Sequence, residues 1–342
     1  MYKLSEVDWK KIALVDMKNQ QNSIFSNLLE KTILKYKSLN KKILFIVNKK
    51  GYNSSYMCLD CWWIPKCESC DIPIWKYVQN AKFIHMCPIC RRVYSDILVC
   101  KKCWSTRIKE IWIGVHKFSY MLKEKFSLDS LVLENTDINS VNKIKKIKSL
   151  LLSTNIIVST GIFTFNEFFI PDIIVFPNAD TWLSIPDYNV AEKHFLFIYE
   201  FLKNYSTKNF IIQTFNPEHY VYQSLLKMDL DWFWKKELEF RKQFSYPPYT
   251  ELAVLIYKNQ IEDKLYAKIS KIEAELRYLI QNLWYEINLY TTPQLVYKKF
   301  WKYHFNIILK GKNLKSFLDK AVEILKLQNK WFQVDWLPLN LI

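Results

Sequence analysis

Glycine is the scarce residue of this chain, with four in 342 (Gly51, Gly114, Gly161 and Gly311), where average usage near 7% would give roughly 24. A phosphate-cradling loop needs glycines followed by Lys and Ser or Thr, and none of the four stands in that setting. No run of ~18 apolar residues occurs, which excludes a helical membrane span. Acidic residues are also short: 49 Lys and Arg face 33 Asp and Glu, a balance of 49 − 33 = +16. That balance suits a polyanionic partner, nucleic acid being the usual one; the plain alternative is a solvated lysine-rich surface. Histidine occurs five times, scattered at His85, His116, His194, His219 and His304, with no ligand spacing. We take His219 as a structural helix-start residue.

What the chain does have is cysteine in pairs. All eight fall in C-x-x-C units: Cys58/Cys61, Cys67/Cys70, Cys87/Cys90 and Cys100/Cys103. Two residues between two thiolates let a tight turn offer both sulfurs to one tetrahedral ion, so four pairs make two complete four-thiolate sites. The alternative is a disulfide framework, which needs an oxidising compartment. The opening MYKLSEVDWKK has no apolar signal segment, and a chain of this size does not need disulfides to build a core. The expectation is a cytoplasmic protein with two structural Zn2+ ions. Eight thiolates on two ions leave no open position for catalysis.

The apolar pattern around the cysteines is that of an α/β protein. Residues 11–17 and 42–47 read as buried strands, and 23–38 between them as a helix with Ser23 as its N-cap. The cysteine block at 51–108 interrupts, and the rhythm then resumes. Helices are expected near 115–126, 138–152, 189–204 and 218–243, with strands at 130–133, 155–159, 172–177 and 208–214. Pro247–Pro248 marks a boundary. Beyond it the order strand (251–258), helix (261–282), strand (286–290), strand (302–310), helix (313–328), strand (331–336) is βαββαβ.

Several stretches then become recognisable: LVDM (14–17), KKGYNSSYMCLDC (49–61), KCESCDIPI (66–74), NADT (178–181), IPDY (185–188), QTFNPEH (213–219) and SYPPYTELAVL (245–255). In order and spacing the chain resembles the C-terminal half of primosomal protein N′, the PriA replication-restart DNA helicase family. The resemblance implies a RecA-like second helicase lobe at 1–50 and 109–244, a two-zinc insertion at 51–108, and an α+β DNA-binding domain at 245–342. It also implies that Cys58, Cys61, Cys100 and Cys103 share one zinc, and Cys67, Cys70, Cys87 and Cys90 the other. The five residues between Cys61 and Cys67 agree with that division.

The resemblance also marks what this chain lacks. The family's phosphate loop and Asp-Glu-x-His magnesium box are missing, and Asp-Glu never occurs. Where the family has its arginine-finger stretch, the chain reads EFLKNYST (200–207), with Asn204 and Thr207 in place of the two arginines. Arginine fingers are worth ~10³–10⁵ in rate, so ATP should not be bound productively and no ATPase activity is expected of this chain alone. The resemblance implies forked or single-stranded DNA as partner, with primosome proteins besides. The other reading is the second half of a split ATP-dependent 3′–5′ helicase whose first lobe is encoded separately. For DNA contact the candidates on the cysteine block are Lys49, Lys50, Arg91, Arg92, Lys101 and Lys102, with Lys66, Arg107, Lys109, Tyr52, Tyr56 and Tyr94 nearby. In the terminal domain they are Lys298, Lys299, Lys302 and Tyr303, in KKFWKY (298–303).

Tryptophan is as abundant as glycine is rare, at 13 residues. Trp62, Trp104, Trp112 and Trp301 stand where the family usually has glycine. Trp62 and Trp104 each follow the second cysteine of a pair, where a zinc knuckle favours φ > 0. Either UGA codons read as glycine in the source organism were translated as tryptophan, or the aromatic enrichment is genuine and supplies exposed rings for base stacking.

Overall fold

The computed structural model describes residues 2–7, 9–18, 23–47, 56–58, 60–61, 63, 65, 67–68, 74–79, 82–87, 92–94, 99–110, 114–134, 141–161, 169–181, 183, 188–325 and 332–336. In chain order the first elements are β1 (Tyr2–Val7), β2 (Lys10–Asp16), α1 (Asn27–Ser38) and β3 (Ile43–Ile46). Five short strands follow in the cysteine block: β4 (Tyr56–Cys58), β5 (Trp75–Gln79), β6 (Lys82–Met86), β7 (Val93–Tyr94) and β8 (Ile108–Glu110). The chain then returns to longer elements with α2 (Val115–Phe126), β9 (Leu131–Leu133), α3 (Val141–Ser153), β10 (Ile156–Ser159), β11 (Ile173–Phe176), α4 (Val190–Asn204) and β12 (Asn209–Thr214). Two helices, α5 (Tyr220–Lys227) and α6 (Leu230–Gln243), lead into β13 (Glu251–Asn259), α7 (Glu262–Asn282), β14 (Ile287–Lys299), β15 (Lys302–Gly311), α8 (Leu314–Leu325) and β16 (Phe332–Trp336).

The large sheet runs β1-β2-β12-β11-β3-β10-β9, parallel throughout except for the antiparallel edge strand β1. Its central strands bury every residue, because alternate side chains enter two different cores. Leu44, Ile46, Ile157, Ile174 and Ile212 face α3, α4, α5 and α6. Ile43, Phe45, Val158, Val175 and Ile211 face α1 and α2. The result is a three-layer α/β/α unit.

The cysteine block lies between β3 and α2 and builds its own small sheets, β4-β8 and β5-β6-β7. The terminal elements form the antiparallel sheet β14-β15-β13-β16, with α7 and α8 covering the face that carries Leu255, Phe305, Ile307 and Leu309. Leu252 and Val254 point the other way, toward Tyr188 and Tyr246.

Three local expectations need correcting. The N-cap of α1 is Ser26, whose Oγ accepts from Leu29 N at 3.2 Å, while Ser23 closes a turn with Phe25. Gln213 fixes the choice, its Oε1 accepting the Ser26 N–H at 3.1 Å from the far side of the sequence. The helix expected over 218–243 is two, broken where Met228 turns left-handed and Asp229 caps α6. β14 continues to Lys299, past the expected 286–290, because β15 pairs with it along that length apart from a register shift between Pro293 and Lys298.

Candidate metal centre

Cys58, Cys61, Cys100 and Cys103 are brought together by the pairing of β4 with β8, which sets Cys58 opposite Ile108. Their four Sγ atoms all lie within 4.8 Å of one another. Cys58 and Cys103 sulfurs are 3.6 Å apart and Cys61 and Cys100 sulfurs 3.5 Å. Four thiolates at about 2.3 Å from a central zinc would stand about 3.8 Å apart, whereas a disulfide requires about 2.05 Å. The spacing fits an ion held by four sulfurs.

The knuckles are built alike. Cys58 N donates to Trp63 O at 2.8 Å, and Cys100 N donates to Ser105 O at 2.9 Å. Cys87 N repeats the pattern with Arg92 O at 2.9 Å. Lys102 N donates to the Cys100 sulfur at 3.3 Å, one of the N–H···S contacts that favour the thiolate. Asp60 latches one knuckle to the other, accepting from Ser105 Oγ at 2.5 Å and from Arg107 Nη1 at 2.6 Å.

The electrostatics show what the crowded sulfurs require. Burial raises the Cys58 thiol, but hydrogen bonds from the Asp60 and Cys61 amides and from neighbouring thiols outweigh this and bring it down to about 7. The Ser105 amide favours the Cys103 thiolate, yet the surrounding cysteines push that thiol up to about 12. One thiolate forms readily and the next is opposed by it; a dication in the centre removes the conflict.

Of the other four cysteines, Cys67 and Cys87 are buried, and Cys70 and Cys90 lie outside the described residues. The Tyr94 hydroxyl donates to the Cys67 sulfur at 3.0 Å, an outer contact of the kind that orients a metal ligand. His85 in β6 and Tyr56 in β4 join the two small sheets through a 2.8 Å hydrogen bond.

Several residues expected on a DNA-facing surface prove to have internal partners. Tyr56 and Tyr94 are held as just described, Arg107 pairs with Asp60, and Arg92 Nη1 is 3.4 Å from Glu68. Lys101, Lys102 and Lys302 are exposed, while Lys299 lies opposite Lys302 at the tip of the β14–β15 hairpin. Arg92 lies over the Trp301 ring at 5.3 Å, and Lys298 over the rings of Trp301 and Tyr303 at 5.2 Å each. The hairpin tip therefore touches the cysteine block, a meeting that sequence spacing could not reveal. Lys49, Lys50, Lys66, Arg91 and Tyr52 lie outside the described residues, as do Trp62 and Trp112.

Two further motifs meet at the C-terminal edge of the large sheet, where open α/β sheets bind their ligands. Asp180 of NADT accepts from Thr214 Oγ1 at 2.6 Å, Phe215 N at 2.6 Å and Tyr222 Oη at 3.0 Å. Gln213 donates to Ile24 O and Pro177 O, at 2.6 and 2.8 Å. His219 caps α5, accepting from Val221 N. These residues fasten loops together, which accounts for their appearance as a block in sequence.

His194 sits behind them, its Nε2 3.2 Å from Tyr222 Oη. Burial holds its pKa down at about 3, with His219 adding to the effect. A base so depressed stays neutral in the folded chain, while the unfolded chain takes up the proton below pH ~6.5. Stability from this residue is full above that pH and is lost as pH falls toward 3. Between pH 7 and pH 5 the loss should be about 2 kcal/mol. Urea denaturation across pH measures it, and a His194→Asn protein with an unchanged slope would contradict it.

No family model matches the chain. Individual relatives do. It is 27% identical over 358 aligned residues to a protein of Borreliella burgdorferi, covering 99% of this chain and 52% of the relative. A Bacillus subtilis relative is 29% identical over 78% of this chain and 34% of its own length, and one from Thermotoga maritima 25% identical over 73% and 34%. All three carry the name replication restart protein PriA. The chain resembles PriA. It spans about half the length of the Borreliella PriA and about a third of the other two. The PriA resemblance thus agrees with the one carried by the cysteine block and QTFNPEH. Among the described residues no helix is long and apolar enough to cross a membrane.

Proposed function

We propose that the chain is a zinc-containing DNA-binding protein of replication restart, corresponding to the C-terminal half of PriA and inactive as an ATPase by itself. On this reading 1–50 and 109–244 form a RecA-like second lobe, 51–108 a two-zinc insertion and 245–342 a DNA-binding domain. The observation that carries it is the four-thiol cluster, placed by its own short strands inside a chain that aligns with PriA over 99% of its length. Lys101, Lys102, Lys298, Lys299, Lys302 and Tyr303 are the groups offered to the DNA backbone and bases.

The reading of ATPase inactivity has local support. Asn204 is exposed at the end of α4, and Thr207 is buried with its hydroxyl committed to Pro171 O at 2.7 Å. Neither side chain carries the charge that a γ-phosphate contact uses.

Fluorescence anisotropy with a forked DNA and a single strand, across a salt series, tests the proposal. Binding should prefer the fork, weaken as salt rises and collapse when zinc is chelated. An absence of binding at low salt would set the DNA-binding reading aside. ATP hydrolysis on adding a separately encoded first lobe would favour the split-helicase reading.

A further inference from the structure

Ten residues other than glycine have a positive φ among those described, and four of the ten are tryptophan: Trp9 (61°), Trp104 (61°), Trp284 (55°) and Trp301 (63°). Only a few per cent of non-glycine residues adopt such backbone, with Asn, Asp and His several-fold enriched among them. At that rate the 13 tryptophans of the chain would supply about one at most. Gly161 (125°), by contrast, is the one glycine with positive φ among the described residues. Four left-handed positions are thus filled by a bulky residue poorly suited to them, in a chain that has almost no glycine.

Each of the four settings calls for glycine by its hydrogen bonding or turn length. Trp284 follows Leu283, the C-cap of α7. Its N–H donates to Gln281 O at 3.3 Å, and the next amide, Tyr285, donates to Ile280 O at 3.1 Å. That pair of bonds is a Schellman motif, and Trp284 is its C′ residue, normally glycine. Trp301 is the second residue of the two-residue loop closed by Lys299 and Lys302, with Phe300 (49°) before it. Positive φ at both positions defines a type I′ hairpin, for which Asn-Gly and Asp-Gly are preferred. Trp9 ends the two-residue loop between Val7 and Lys10, and in sequence it follows Asp8. Trp104 completes a metal knuckle, its N–H donating to Cys100 O at 2.9 Å.

Burial offers no competing reason for an indole at these places. The four side chains are 54%, 78%, 92% and 53% exposed. Trp9 and Trp301 have cations over their rings, at 4.0 Å for Lys10 and 5.3 Å for Arg92, but contacts on exposed rings are among the weaker of their kind. Trp234 shows the ordinary behaviour: it lies in helix α6, is partly buried against the core and meets Phe233 edge to face at 5.4 Å. Trp234 is placed by packing, whereas Trp9, Trp104, Trp284 and Trp301 are exposed and share a left-handed backbone.

We infer that positions 9, 104, 284 and 301 carry glycine in the native protein, their codons being UGA read as glycine. The inference rests on backbone geometry and exposure, and stands apart from the DNA-binding reading. Its consequence for the surface is specific. Without an indole at 301, Arg92, Lys298 and Tyr303 surround a bare hairpin tip, which a phosphate backbone could approach closely.

Peptide mass spectrometry of the full chain isolated from its source organism decides the matter. Glycine masses at three or four of the positions are expected, with tryptophan retained at 234; tryptophan at two or more of the four overturns the inference. A recombinant chain carrying W9G, W104G, W284G and W301G gives a second measure. It should melt about 5 °C or more above the chain with tryptophan at these sites, through relief of left-handed strain. An equal or lower melting temperature would count against it.

Discussion

On the proposed two-zinc reading, substitution of Cys58 by serine is expected to release one ion per chain and to loosen the two knuckles at Cys58–Cys61 and Cys100–Cys103. Among the described residues their other ties are slight. β4 and β8 contribute three residues each, and the Asp60–Arg107 pair that bridges the knuckles is largely exposed, so it adds little. In such a module the free energy of metal binding is the free energy of folding. Metal analysis should show the loss of one ion with the other retained, and limited proteolysis should open new sites near 99–110. An unchanged metal content would remove the four-sulfur site from consideration. EDTA or a stronger chelator should reproduce the effect in the unaltered protein, more readily at low pH, where protons compete for the sulfurs.

Arg241→Ala is expected to destabilise the three-layer unit by about 3–5 kcal/mol, because it strands a buried carboxylate. Arg241 Nε donates to Glu237 at 2.7 Å, with Glu237 fully buried, and Nη2 donates to Glu192 on α4 at 2.5 Å. Tyr220 Oη donates to the second oxygen of Glu237 at 2.6 Å. The two carboxylates hold the guanidinium above its usual value against the opposing effect of its own burial. Nη1 donates to Pro247 O at 3.3 Å, so the same side chain ties α4 and α6 to the segment that leads into β13. Urea denaturation measures the loss. Replacing Arg241 and Glu237 together with apolar residues should recover part of it, since the fully buried carboxylate is then gone, while Glu192 and the Tyr220 hydroxyl still lose their partners. A single substitution costing less than about 1 kcal/mol would mean that water reaches Glu237 after all.

Much of the fold could be read in the sequence because its parallel strands are short apolar runs, ILFI, IIVS and IIVF, buried on both faces. Other features had no local mark. β1 is an edge strand with Tyr2 and Leu4 exposed, so no core-facing alternation identified it. The break between α5 and α6 falls at Met228, without glycine or proline to announce it. The cap of α1 depends on Gln213, nearly two hundred residues away. Within the candidate site, C-x-x-C spacing identified the donor atoms and the resemblance implied which knuckles pair; the β4–β8 ladder is what brings Cys58, Cys61, Cys100 and Cys103 together. Basic and aromatic residues near the cysteines were legible as a cluster. Their division into residues with partners inside the block, such as Tyr94 and Tyr56, and exposed ones, such as Lys101 and Lys102, required the third dimension.

The β4–β8 ladder has a consequence for the sheet that hosts the cysteine block. Tyr56 lies opposite Glu110, so the entering and leaving chains stand side by side at the root of the insertion. Antiparallel neighbours are about 5 Å apart. To the large sheet, everything between those two residues is a loop whose ends are already joined, and the entropy of closing it is borne within the insertion. Lengthening such a loop is thermodynamically mild, at about 0.6 kcal/mol for each doubling. A compact module can therefore grow, shrink or be exchanged at this point with little strain passed to β3 and α2, much as an attachment is changed on a fixed socket.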